Sequence, residues 1–390
     1  MIVALDGVIR PYAWGSPTAI PALLGVPPTG EPAAELWLGA HPDDPAEVPA
    51  RDTTLDKLIA ADPSALLGAE VVERFGPQLP FLVKILAPAR SLSMQVHPTL
   101  PQARAGFASE EARGLPHFSP DRNYRDANHK PELLCALTDF EVLCGFRAPA
   151  ETVRLLDAFD VPQLAPVRNL LAGPDGLRAA FTYLLTLPDP RALVTAVRER
   201  APAIAGEWAG AAHAVTLTGE DFPDDVGAVL ALLLNYVRLA PGEAVFLAPG
   251  NVHAHLRGTG VEIMANSDNV LRCGLTEKHI DVPELVKITD FSALAHPRCP
   301  AEPDDVGNEF HPPVDDFSLT TVRLDPDRAP SARGRAGQPY IVLCASGAAE
   351  VASERVSVAL TPGRAAFISA GKEPLQATGS GEVFLVTVGD

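Results

Sequence analysis

The hydrophobic period changes twice along this chain, and that double switch limits its architecture more than any single motif. From residue 1 to about 147, short apolar runs such as ELWLGAHP, LPFLVKILA, SLSMQVHP and KPELLCALTDFEVLCGF alternate with turn residues. Runs this short, rich in Val, Ile, Leu and Phe, read as strands. Between about 148 and 235 the spacing becomes helical in AETVRLLDAFD, QLAPVRNLLAG, GLRAAFTYLLTLP, DPRALVTAVRERAP and DDVGAVLALLLNYVRL, which predicts four or five helices. Asp189 followed by Pro190 signals a helix start, a cap residue with proline at the first helical position. From about 236 the strand pattern returns in VRLAPGEAVFLAPGNVHAHL and GTGVEIMANSDNVLRCGLT. After a helix in HIDVPELVKIT, the runs FSLTTVRL, PYIVLCAS, AAEVAS, VSVALTP, AAFISA and EVFLVTV fill the C-terminal segment.

At 390 residues the chain is too long for one ordinary core. The expected architecture is mainly β with a helical insertion. Residues 1–147 and 236–304 form a jelly-roll domain, 148–235 an α-helical domain, and 305–390 a C-terminal jelly roll. Further helices are expected near DTTLDKLIAADP and LPQARAGFASEEAR. The 39 prolines and 30 glycines are dispersed as punctuation between strands and show no long repeat.

A net charge of −18 with no basic tract argues against nucleic acid and anionic lipid as partners. An anionic substrate would require a local cluster of Arg and Lys to overcome that field. No uninterrupted apolar window of about 18 residues predicts a membrane span. The start, MIVALDGVIRPYAWGSP, carries Asp6 and no basic leader, so a cytoplasmic protein is expected; a monomer is expected as well. The five cysteines (Cys135, Cys144, Cys273, Cys299 and Cys344) are scattered and never in CxxC spacing, which disfavours a disulfide framework or a thiolate zinc site.

The chemistry concentrates in three stretches. In an extended SLSMQVHP, Gln95 and His97 point to one side while Met94 and Val96 face the other. Beyond a Pro249-Gly250 turn, His253 and His255 form an HxH, the manner in which cupin-type jelly rolls present a metal ligand. NHKPELLC adds Glu132, flanked by His129 and Lys130. Imidazole, carboxylate and amide donors suit Zn²⁺ and tolerate Mn²⁺, Co²⁺ or Fe²⁺.

The blocks YAWGS (12–16), PFLVKILAPARSLSMQVHP (80–98), NHKPELLCAL (128–137), APGNVHAHL (248–256) and ANSDNVLRCGLTEKHID (265–281) resemble the type I mannose-6-phosphate isomerases. That resemblance implies one Zn²⁺ per chain held by Gln95, His97, Glu132 and His253, with Arg272 at the catalytic arginine position. It also implies a sugar phosphate as the small-molecule partner. The implied activity is reversible interconversion of mannose 6-phosphate and fructose 6-phosphate. The family commonly has Tyr two residues after the last zinc histidine, where this chain has His255.

Such an aldose–ketose exchange through a cis-enediol needs one base to shuttle a proton between adjacent carbons and a positive group to hold the enediolate. Arg272, permanently charged, suits the second task. Lys130 is a candidate shuttle or phosphate anchor, Glu262 a second candidate base, and His255 a sugar contact, acid/base group or fifth ligand. Ser93 and Lys278 are candidate phosphate contacts. Trp14, with Tyr12 and Trp37, is a candidate wall of the sugar pocket. His41, His129 and His279 are assigned structural places. The alternatives are a non-enzymatic, sugar-binding or regulatory metal cupin and a cupin oxygenase. The latter would want two His and a carboxylate without the added Gln.

Overall fold

Strand alternation decides which layer each side chain enters. In the computed structural model, which describes residues 1–303, 307–327, 332–353, 356–371 and 375–389, two antiparallel sheets face each other. One has five strands, in the order Leu234–Leu239, Phe140–Phe146, His253–Arg257, Met94–Val96 and Leu271–Gly274. The other has seven, in the order Arg298–Cys299, Ala244–Leu247, Glu132–Ala136, Gly260–Ala265, Phe81–Leu86, Glu35–Gly39 and Val8–Arg10. Phe140, Val142 and Cys144 from the first meet Leu134, Ala136 and Leu247 from the second, closing one end of the interior with apolar side chains.

The alternate residues point outward. Met94, Val96, Leu143, Ala254 and Leu271 enter a core with the helices Pro149–Phe159, Ala165–Leu171, Gly176–Leu185, Arg191–Arg200 and Ala209–Asp221. On the other side, Leu36, Phe81, Val83, Ile85 and Leu133 share a core with Leu319, Ile341, Leu343, Phe367 and Phe384 of the C-terminal sheet. Each such buried side chain contributes about 1.5–3 kcal/mol.

The helical stretch departs from expectation in three places. Only Gly227–Leu230 and a 3₁₀ turn over Ala231–Leu233 are helical in DDVGAVLALLLNYVRL, and Leu234–Leu239 pairs antiparallel with Phe140–Phe146. The apolar run itself stays helical to Leu233, and the sheet takes the LNYVRL that follows, burying Leu234, Val237 and Leu239. The helix Ala209–Asp221 was not anticipated because small residues build its buried stripe: Ala211, Ala212, Ala214 and Gly219. Pro190 stands at the cap of Arg191–Arg200, not at its first helical position, while Asp189 Oδ1 accepts from Arg191 N at 3.1 Å.

The C-terminal sheet also differs in detail. PYIVLCAS and AAEVAS form one strand, Tyr340–Ala352, with a register shift between Cys344 and Ser346. The strand Ile2–Leu5 does not join the sheets built by the rest of 1–147. It pairs with Ala365–Ile368, Ile2 opposite Ile368 and Leu5 opposite Ala365. Val3 and Leu5 thereby reach the core shared with the seven-stranded sheet. No helix among the described residues is long and apolar enough to cross a membrane.

Asp221 clasps the helical layer to the sheets. Its Oδ2 accepts from Ser91 N at 2.7 Å and Arg257 Nη1 at 2.8 Å, and its Oδ1 from Arg90 Nε at 3.4 Å. Burial opposes ionisation, but Arg257 and Ser91 hold the carboxyl below the ordinary carboxylate range. A depressed folded pKa stabilises above the unfolded pKa of about 3.9, and that stabilisation fades as pH falls through the lower folded value. Asp221→Asn should cost about 1–3 kcal/mol at neutral pH. Thermal melts should show its gap to the parent closing below about pH 4, whereas a gap independent of pH would contradict the clasp.

Candidate active site

A row of side chains crosses the five-stranded sheet: Cys144 is opposite His253, His253 opposite Gln95, and Gln95 opposite Arg272. Directly opposed residues share a face, so these four point into the space between the sheets. His255 lies two residues on from His253 and shares that face. The Pro249-Gly250 turn delivers the row: Gly250 has φ +90°, donates its N–H to His97 O at 2.8 Å and accepts from Asp290 N at 2.9 Å. Its left-handed backbone favours glycine, and it ties the approach to His253 directly to His97.

From the facing sheet comes Glu132. His97 Nε2 lies 3.3 Å from its Oε1 and His253 Nε2 lies 3.2 Å from its Oε2. All three residues are buried, and their ligating atoms lie within 4.8 Å of one another. His97 Nδ1 donates to Asn269 O at 2.6 Å, and His253 Nδ1 to Asn251 O at 3.0 Å. A carbonyl only accepts, so each ring carries its proton on Nδ1 and offers a bare Nε2. Both Nε2 atoms and Glu132 Oε2 lack a hydrogen-bond partner among the described residues. Orphaned buried atoms are costly, and a cation resolves three of them at once. Burial pushes His97 down to about 4, keeping it neutral. Glu132 is well below the carboxylate range: burial opposes ionisation, but His97, Lys130 and His253 outweigh it. With the Gln95 amide beside His253, this donor set fits Zn²⁺.

Behind Glu132 runs a buried polar chain. Lys84 is opposite both Glu262 and Trp37, and its Nζ lies 3.5 Å from Glu262 Oε2 and 3.7 Å from Glu35 Oε2. Trp37 Nε1 donates to Glu35 Oε2 at 2.5 Å. Glu262 is raised to about 7, by burial first and then by Glu132, with Lys84 and Lys130 opposing. His255 Nε2 is 3.9 Å from Glu262 Oε1, and neither ring nitrogen has a hydrogen-bond partner among the described residues. Burial lowers His255 to about 3. Lys130 Nζ reaches Glu132 Oε1 at 3.3 Å, so the lysine and the carboxylate do meet despite Pro131 between them.

Beyond Gln95 the field turns positive. Arg272 is half-buried and lowered, by burial first and then by Arg125. Exposed Lys278 is lowered by Arg272 first, then by burial and Arg125. Three cations sensing one another in a chain of net charge −18 are the local cluster that an anionic ligand requires.

Other anticipated residues sit further out. Ser93 is half-buried two positions before Gln95. Trp14 is half-buried, stacks on exposed Tyr12 with ring centroids 5.7 Å apart and packs against the apolar end of the interior. Trp37 is buried in the polar chain, and His279 is exposed. His41 and His129, assigned structural places, each meet a carboxylate. His41 Nε2 lies 3.7 Å from Asp268 Oδ2, and His129 Nε2 lies 2.9 Å from Asp316 Oδ2. Both line a 1140 Å³ groove with Arg125 and Thr99. His97, Glu132 and His253 do not line it; it adjoins them through their sequence neighbours. Lys84 and Arg125 were not anticipated. A lone lysine inside LPFLVKILA was a usable signal, whereas Arg125 sits in a loop with no period.

Residues 2–149 match the family description "Phosphomannose isomerase type I, catalytic domain", and residues 308–388 match "Mannose-6-phosphate isomerase, cupin domain". The mannose-6-phosphate isomerase of Escherichia coli K12 is 40% identical over 386 residues, covering 96% of each chain. That of Schizosaccharomyces pombe is 33% identical and covers 87% of this chain and 85% of its own. The Salmonella typhimurium enzyme, solved with fructose 6-phosphate (f6p) and zinc, superposes with a TM-score of 0.90 at 35% identity over 100% of both chains.

Proposed function

The chain belongs to the type I phosphomannose isomerases, and from that premise we propose how its own side chains carry the reaction. It is a zinc-dependent aldose–ketose isomerase that interconverts mannose 6-phosphate and fructose 6-phosphate. The observation that carries the site assignment is the buried His97–Glu132–His253 cluster with its orphaned atoms, one register step from Gln95 and two from Arg272.

Zinc, when bound by Gln95, His97, Glu132 and His253, supplies Lewis acidity toward the sugar's oxygens. Glu262 is the proton shuttle between C1 and C2. Lys84 holds its Oε2, and its raised pKa near 7 suits a group that must both take and return a proton. Lys130 orients Glu132 and adds positive charge beside the reacting carbons. His255, with two free nitrogens, receives a sugar hydroxyl. Arg272 holds the negative charge that develops on the enediolate oxygens. Arg125 and Lys278, with Ser93, bind the phosphate, and Trp14 walls the sugar's approach.

Residues 1–147 and 236–304 act as the catalytic unit, 148–235 as its helical cover and 305–390 as its C-terminal buttress. Only the first of these supplies the residues assigned here, which fits a monomer. Five free cysteines, four of them buried, fit a reducing cytoplasm.

The test pairs metal analysis by mass spectrometry with a coupled assay for fructose 6-phosphate. Chelation should abolish turnover, and added zinc should restore it. Fully zinc-loaded protein that converts no mannose 6-phosphate would sink the assignment and leave a sugar-binding metal cupin.

A further inference from the structure

Asn269 is wholly buried and uses every hydrogen-bonding position it has. Its side-chain oxygen accepts from Arg125 N at 2.7 Å and Asp126 N at 3.2 Å. Its amide nitrogen donates to Asp126 O at 2.9 Å and Asn128 O at 2.8 Å, with Asp126 Oδ1 at 3.2 Å. Two acceptor sites and two donor hydrogens are the full capacity of a carboxamide. A carboxylate in its place has no donor, a hydroxyl has one, and an alanine neither. The backbone of the same residue does separate work: its carbonyl takes the Nδ1–H of His97 at 2.6 Å, and its N–H donates to Ser267 Oγ at 3.2 Å.

The loop it pins is itself braced. Asp126 accepts from Ser267 Oγ at 2.9 Å, Asn128 N at 2.8 Å and Asp268 N at 2.7 Å. One residue therefore fixes, on one side, the imidazole that offers Nε2 to the metal and, on the other, the backbone that carries Arg125.

We propose that Asn269 is the positioning residue that holds the metal ligand His97 and the phosphate-binding Arg125 in one fixed spatial relation. Its side chain and carbonyl thereby fix the imidazole relative to the backbone that carries Arg125. The Arg125 half rests on the anion-binding reading given above, and the His97 half does not. Removing the carboxamide frees the 125–128 backbone and lets the Asn269 carbonyl drift from His97, loosening the ring that it orients.

Asn269→Ala and Asn269→Ser, purified with zinc, serve as the test, read by two constants measured well below each variant's melting temperature, where the protein is folded. The zinc dissociation constant, from competition with a chelator, should rise about tenfold or more. The constant for competitive inhibition by inorganic phosphate should rise several-fold, together with KM. The serine variant should fall between alanine and the parent. Thr218→Ala, which removes a buried helix hydroxyl far from the loop, should lower the melting temperature and leave both constants alone. A folded Asn269 variant that binds zinc as the parent does overturns the proposal. Arg125→Ala separates the two readings: it should weaken phosphate inhibition and spare zinc. Unchanged phosphate inhibition in Arg125→Ala overturns the anion-site reading alone, and the zinc constant then decides the case of Asn269.

Discussion

His97→Ala should lose zinc and turnover together, with kcat falling about a thousandfold or more in protein purified without added metal. His97 is 1% exposed and offers one of the two bare imidazole nitrogens that flank Glu132. An alanine there leaves Glu132, His253 and Gln95 one donor short of the set, and the strand's two-residue steps place no second side chain where the His97 imidazole stood. The loss should not be a folding failure. The position already carries an unpaired atom, and the strand's apolar anchors Met94 and Val96 face the helical core, not the site. Metal content by mass spectrometry beside a thermal melt checks this. Parental zinc stoichiometry in a folded His97→Ala protein would remove His97 from the ligand set.

Arg272→Ala should separate what His97→Ala joins. Arg272 is opposite Gln95 in the register but, permanently charged, offers no lone pair to a metal, so zinc should stay at the parental level. Turnover should fall about a hundred- to a thousandfold, the range seen when one preorganised donor to a developing oxyanion is removed. Arg272→Lys keeps the charge without the planar fork and should recover only part of the loss. Steady-state kinetics on zinc-quantified protein decide the matter. Near-parental kcat in Arg272→Ala would exclude it from the chemistry.

How far this site could be foreseen depended on period. Gln95, His97, His253 and His255 announce themselves because strands put alternate residues on one face, so QxH and HxH are geometric statements in themselves. Lys84 interrupts an apolar run, as Glu262 interrupts GVEIMA, and each is a charge that a buried strand would not carry without a partner. Asn269 and Arg125 have no such mark. Their positions follow from hydrogen bonds that join a backbone N–H to a side chain 144 residues away, and no local spacing encodes that. The same limit explains the errors in the fold. The apolar run AVLALLL makes LNYVRL read as its helical continuation until Phe140–Phe146 is known to lie beside Leu234–Leu239, and the alanine stripe of Ala209–Asp221 hides its amphipathicity in residues too small to register.

The pairing of Ile2–Leu5 with Ala365–Ile368 bears on how the enzyme is made. Translation delivers Ile2–Leu5 well before Ala365–Ile368, the strand it pairs with. The N-terminal amine finally donates to Ser369 Oγ at 2.7 Å. Leu319, Ile341, Leu343, Phe367 and Phe384, which cover the outer apolar face formed by Phe81, Val83 and Ile85, all come far later in the chain than that face. Vectorial synthesis can therefore complete the facing sheets and helices early, while the last core waits for Ala365–Ile368 to meet Ile2–Leu5. That wait is the interval in which the nascent protein is exposed to aggregation and most in need of a chaperone.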